Sequence, residues 1–194
     1  MSQVSEDGHI QTPTALFHLE VSEERIVQIL PVSEVLPEVS VIDMAGKLAL
    51  PAFKERHNHL DKTYLSLGWK ACRPVSKLSS IHNQLIPIDT LRQQGVRVSV
   101  VGDGFYDSWN PNFSGDILEK VQQFCEYTGK SSERALRKSL GLITQGIPPL
   151  DANGKQVWPV DGDEASFVFA KASCSAEVVA RVPQNRQLMH QGKL

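Results

Sequence analysis

An α/β fold follows from three features of the chain. Alternating, β-forming segments crowd the first 50 residues and return in the tail, two amphipathic helical segments lie between them, and a β-branched run at 96–101 precedes those helices. The organisation is β-rich at both ends around a short α/β middle.

The elements follow in order. Residues 14–21 are rich in apolar and β-forming types, Ser22, Glu23 and Glu24 make a polar turn, and 25–30 resumes the apolar pattern before Pro31. Together they predict a hairpin. Residues 39–43 alternate, and Ala45, Gly46 and Lys47 turn the chain into the apolar run 48–53. Residues 64–95 sustain no helical period beyond one short helix over 88–94, which Gly95 stops. The run 96–101 predicts a strand by its β-branched content and period of two, ended by Gly102, Asp103 and Gly104. Asp116 opens a helix with Ile117, Leu118, Val121, Phe124 and Cys125 on one face, and Gly129 closes it. Ser131 and Ser132 ahead of Glu133 and Arg134 have the shape of an N-terminal cap, so a second helix runs to Gly141. In the tail, residues 151–154 read as a turn, 166–170 as a strand and 187–190 as another strand ending in a turn.

The 194 residues suit one domain, or one domain with a small appendage. With 41% hydrophobic and 22% charged residues the composition is that of a globular protein rather than a disordered one. The 20 basic and 22 acidic side chains leave a net charge of −2, and no basic stripe offers itself to phosphate, which argues against a nucleic-acid partner. No apolar run approaches the roughly 18 residues needed to span a bilayer, so no membrane partner is expected. The opening residues are polar and acidic, unlike a secretory signal, and Cys72, Cys125 and Cys174 are odd in number with no CxxC spacing. The expectation is a soluble, cytoplasmic protein without a disulfide framework.

Chemistry concentrates in two places. His57 and His59 flank Asn58 directly after the apolar run 48–53, so they are expected at the end of a strand. Side chains two apart on a strand share a face, which lets two imidazoles converge on one cation such as Zn²⁺ or Fe²⁺. The same pattern also suits surface or turn histidines in a polar loop. Asp103, where the run 96–101 meets a loop, suits a third ligand or a proton acceptor, and equally suits ordinary Gly-Asp-Gly turn chemistry. Asp107 and Trp109 are candidates to line a pocket, with Trp109 better placed in a core. His18, His82 and His190 have no ligand-like neighbours in the sequence, and Cys72 and Cys125 read as small buried hydrophobes.

The stretch 46–63, with Leu50-Pro51-Ala52-Phe53 leading to His57-Asn58-His59-Leu60-Asp61-Lys62, resembles the entry to the first barrel strand of the metal-dependent amidohydrolases, and the cytosine deaminase branch in particular. Residues 100–109, with Gly102-Asp103-Gly104, resemble that branch's eighth strand and the loop after it. Residues 140–144, 158–168 and 192–194 are similar to the family's C-terminal end, where the chain returns to a small β-sandwich shared with the N-terminal strands. The resemblance runs over residues ~10–80 and ~87–194 in the family's order, and its implications are concrete. His57 and His59 would be metal ligands from strand one. Asp103 would be the strand-eight aspartate that binds metal and serves as the catalytic group assisting the attacking water. The cofactor would be a divalent metal, Zn or Fe, and the substrate a small molecule whose non-peptide C–N bond, in a cyclic amide or amidine, is cleaved by metal-activated water.

A complete (β/α)₈ barrel takes ~250 residues, whereas only about 90 lie between Pro51 and Gly141, room for two or three β/α units. The resemblance therefore implies a barrel reduced to its first and last units, the join falling within 77–87. Residues 51–141 would form that truncated barrel segment, and residues 1–50 with 142–194 a composite β-sandwich. The family's strand-five histidine, its proton-handling His and Glu and its substrate-holding side chains have no match here, so no substrate-binding residue is assigned. Two outcomes are open: a hydrolase of the family's type, or a catalytically inactive remnant that has kept or lost its metal. A two-strand remnant leaves sheet edges and apolar faces open, so two outcomes are open here as well: rescue by self-association as a homo-oligomer, or only marginal folding.

Overall fold

The computed structural model describes residues 3–4, 10–11, 16–34, 40–60, 63, 87–107, 110–147, 151 and 156–194. Gln3–Val4 (β1) pairs antiparallel with Ile10–Gln11 (β2). Phe17–Ser22 (β3) and Arg25–Pro31 (β4) form the expected hairpin, with a register irregularity at Glu20 and Val21. Its turn residues, Glu23 and Glu24, both have positive φ (46° and 69°), the backbone that matches a tight hairpin turn to the right-handed strand twist. At the next turn Ala45 and Gly46 do the same (52° and 68°), and Lys47 N–H donates to Met44 O at 3.1 Å.

Leu48–Pro51 (β5), Phe167–Ala170 (β6) and Gln187–Met189 (β7) make an antiparallel sheet in the order β5-β6-β7. The apolar run after Gly46 thus joins the C-terminal part of the chain, and only Leu48–Pro51 of it is strand. The central strand β6 is buried on both faces. Phe167 and Phe169 turn to a core shared with Ile26, Trp158 and Ala165, against which Leu19, Val21, Ile29 and Ala49 pack. Ala170, with Leu50 of β5, turns the other way onto helices. Burial on both sides explains why β6 reads as an unbroken apolar stretch instead of an alternating one. Backbone bonds fix the β3–β4 hairpin to the tail: Ile26 N–H donates to Asp163 O (2.9 Å), Ala165 N–H to Glu24 O (2.7 Å) and Gly162 N–H to Ile26 O (2.8 Å).

The helices are Ile88–Gln93 (α1), Ile117–Tyr127 (α2), Glu133–Leu140 (α3) and Ser175–Arg181 (α4). Helix α2 is capped by Asp116, whose side chain accepts from Leu118 N–H at 3.1 Å, and it buries Ile117, Leu118, Val121 and Cys125 as its periodicity requires. Helix α3 is capped by Ser132, which accepts from Ala135 N–H at 3.3 Å. Burial pushes the Cys125 thiol pKa up, in keeping with a packed hydrophobe. Helix α4 has no counterpart among the elements expected from the sequence.

Two further segments depart from expectation. Residues 96–101 form no ladder: Val100 N–H donates to Leu142 O at 3.1 Å, and the nearest bridge is the isolated parallel one between Asn58 and Asp103. β-branched content favours extended backbone, but a strand also requires a neighbour in register along its length, and the described residues supply one only at the tip of this run. Among the described residues, 40–43 likewise have no strand partner. Trp109, Cys72, His82, Asp61, Lys62, the turn at 152–154 and all of 77–87 but Pro87 lie outside the described residues.

Candidate metal centre

His57 and His59 lie six and eight residues past the end of β5, not at its tip. The backbone from Ala52 onward is held by single bonds to three places: Ala52 N–H donates to Ser166 O (3.1 Å), Lys54 N–H to Ile143 O (2.8 Å) and His59 N–H to Asp103 O (2.6 Å). In return Asp103 N–H donates to His57 O at 3.0 Å, which completes the parallel bridge centred on Asn58 and Asp103. Flanking Asn58 on either side, His57 and His59 share the opposite face of their segment.

In a regular ladder Asp103 would point to the face of its partner Asn58, away from the histidines. It does not, because its backbone is left-handed, with φ of 65°. That conformation costs of order 1 kcal/mol or more for a side-chain-bearing residue, and it re-aims the carboxylate. Asp103 Oδ1 lies 3.0 Å from His57 Nε2 and 3.4 Å from His59 Nε2. The two rings meet edge to face, centroids 5.1 Å apart at 88°.

A side chain on either neighbour of Asp103 would force its surroundings to shift. A Cβ on Gly102 would fall 2.6 Å from Glu55 Oε2 and 2.7 Å from Phe113 Cε1, and one on Gly104 only 2.0 Å from Asp107 Oδ2. Asp107 is buried inside the loop that follows, where its Oδ1 accepts from Asn110 N–H at 2.6 Å. Asn110 Nδ2 donates to Gly104 O (3.0 Å) and Tyr106 N–H to Phe113 O (3.1 Å), so the loop closes on itself and Asp107 braces it. Glu55 is the residue that sequence reasoning missed here. Its Oε1 accepts from the N–H groups of Arg56 (2.8 Å) and His57 (2.9 Å), and its Oε2 from Gly102 N–H (2.7 Å). Nothing in an Arg-flanked glutamate announces such a role.

The donor set fits a divalent cation. His57, His59 and Asp103 each offer one ligand atom, all within 4.8 Å of one another. Ligands about 2.0–2.2 Å from a tetrahedral cation stand roughly 3.3–3.6 Å apart; the 3.4 Å between His59 and Asp103 falls in that range, and the 3.0 Å between His57 and Asp103, a hydrogen bond here, is somewhat shorter. Two imidazoles and a carboxylate suit Zn²⁺ or Fe²⁺. The site is open: the side chains of His57, His59 and Asp103 are 57%, 37% and 65% exposed. No helix among the described residues is long and apolar enough to cross a membrane.

No family model matches the chain. A stretch of 109 residues, 56% of this chain, is 39% identical to the uncharacterized protein YahJ of Escherichia coli (strain K12) and covers 24% of that protein. Among solved structures, N-isopropylammelide isopropylaminohydrolase from Burkholderia multivorans ATCC 17616 is similar over 55% of this chain and 27% of its own, at 30% identity and a TM-score of 0.45. In both cases the chain spans about a quarter of the length of the protein it matches.

Proposed function

We propose that this chain is an amidohydrolase by descent. In this reading His57, His59 and Asp103 hold one divalent cation, Zn²⁺ or Fe²⁺, and Asp103 moves the proton in hydrolysis of a C–N bond of a cyclic amide or amidine. The observation that carries the reading is the convergence, within 4.8 Å, of three donor side chains from segments 46 residues apart. The like-spaced motif around His57-Asn58-His59 and the Gly102-Asp103-Gly104 loop support the same family. The parallel bridge between Asn58 and Asp103 supports residues 51–141 as the first and last pieces of a barrel, set beside a composite sandwich of 1–50 and 142–194.

When bound, the cation's part is to acidify a water molecule. His57 and His59 supply neutral nitrogen ligands through Nε2. With Asp103 Oδ1 placed between the two rings, Oδ2 is the oxygen that takes the water's proton as the water oxygen adds to the sp² carbon. The same proton passes to the nitrogen as the C–N bond breaks, which returns Asp103 to its ionised form. The reading assigns a small-molecule substrate and a cytoplasmic setting, with no part for nucleic acid or membrane.

The exposure of the three side chains favours a second reading, in which the chain is a catalytically inactive, self-associating remnant with at most residual metal affinity. An exposed site lacks the dry walls that strengthen charge stabilisation. Release of ammonia or amine from a panel of cyclic amides and amidines, with the chain loaded with Zn²⁺ or Fe²⁺, separates the two. Turnover that vanishes in Asp103→Asn, with fold retained, is the expected result. Equal turnover in wild type and variant would contradict the mechanism, and a metal-loaded wild type without turnover would establish the remnant.

A further inference from the structure

We infer that Glu55 sets the spacing between the histidine half and the aspartate half of the metal centre, by holding backbone on both sides. The inference rests on the metal reading above. Glu55 Oε1 accepts two N–H groups on the histidine side, those of Arg56 and His57, and Oε2 accepts the N–H of Gly102 on the aspartate side. One carboxylate thereby ties segments 47 residues apart. Bonds of this kind, from N–H to an ionised acceptor, are shorter and stronger than those between neutral groups.

The tie lies where it controls the ligands. Apart from Glu55, the backbone bonds that join the two segments among the described residues are Asp103 to His57 and His59 to Asp103, a single bridge. Glu55 adds an attachment one residue earlier, at the N–H of Gly102, the residue that precedes the left-handed backbone of Asp103. A shift there changes the aim of the Asp103 carboxylate relative to both rings. Gly102 is the other half of the clamp, since a side chain on it would occupy the space of Oε2. With both its oxygens committed to backbone donors, Glu55 is a positioning residue and not a fourth ligand. Exposed on the surface, it contributes little to either core, so its replacement leaves the fold standing.

Cobalt(II) titration of the full chain tests this, following visible absorption for coordination geometry and far-UV circular dichroism with melting for fold. Wild type, Glu55→Ala, Glu55→Gln and Gly102→Ala are compared. The expected result is Co²⁺ binding weakened roughly 10–100-fold in Glu55→Ala, with an altered visible spectrum at saturation and an unchanged far-UV spectrum. Glu55→Gln keeps the shape but has one accepting oxygen, so it holds one side of the clamp and falls between. Gly102→Ala loses affinity from the opposite side. Wild-type affinity and an unaltered spectrum in Glu55→Ala or Glu55→Gln would overturn the inference while leaving the metal reading intact. A wild type that takes up no Co²⁺ would overturn both.

Discussion

The strand β6 and the segment around His57 lie only a few residues apart through Ala52 and Ser166, yet they are built on opposite terms. Strand β6 is bonded on both edges and buried on both faces, and Phe167 sits against Trp158 and Phe169 with ring centroids 5.3 and 5.4 Å away. The His57 segment has one bridge, a left-handed aspartate opposite it and ligand-type side chains open to water. The first region carries the stability of the fold. The second is held in place by a handful of polar bonds, and it can be altered without unfolding the chain. Chemistry can be lost here long before structure is.

Breaking the stable region gives the largest effect. Phe167→Ala removes a fully buried ring from the middle of the sheet and should cost about 3–5 kcal/mol, a large part of the ~5–15 kcal/mol that holds a domain together. Chemical denaturation reads this directly, and metal uptake should fail together with the fold. Asp116→Ala is next. It removes the cap of α2 and leaves the mostly buried Arg186, whose Nη1 already lacks a partner, without its ion pair. The expected loss is about 2–4 kcal/mol. Asp116→Asn keeps the cap and should recover part of it, so the two variants divide the cap from the pair in a melting experiment.

The smallest effect concerns pH and sharpens the contrast from the stable side. Ser173 donates through both N–H and O–H to Glu177 Oε2, each at 2.7 Å, and these bonds hold the Glu177 carboxyl below its ordinary value of 4.5. A carboxyl depressed in the folded state stabilises the fold above its unfolded pKa and loses that contribution as pH falls through the folded value. Stability of the wild type should therefore decline more steeply below about pH 4.5 than that of Glu177→Gln. Parallel curves for the two proteins would remove Glu177 from the acid response.

The same contrast explains what the sequence disclosed. Elements whose identity depends on local periodicity were legible: the hairpin around Glu23 and Glu24, α1, α2 with its Asp116 cap, α3 with its Ser132 cap, and β6. Helix α4 was not, because Val178 and Val179 resemble strand residues. Its signals were the acidic Glu177 in the first turn and Pro183 just after the end. The run 96–101 failed for the opposite reason, since its local preference is for strand and the decision belongs to neighbours far away in sequence. At the site, the pairing of His57 with His59 was visible from spacing alone. That Asp103 reaches them depends on a left-handed φ and on a glutamate bonded to a distant glycine. The first is marked locally by Gly102-Asp103-Gly104, a turn sequence, whereas the second leaves no mark on local sequence.

The proposal stands on His57, His59 and Asp103 still forming one cation site. Metal content per chain, measured after purification from zinc- and iron-supplemented medium, tests it most directly when wild type is compared with the His57→Ala/His59→Ala double variant. Near-stoichiometric metal in the wild type, absent from the double variant at equal folded content, is the expected result. Metal far below one per chain in the wild type, or the same amount in both proteins, would contradict it.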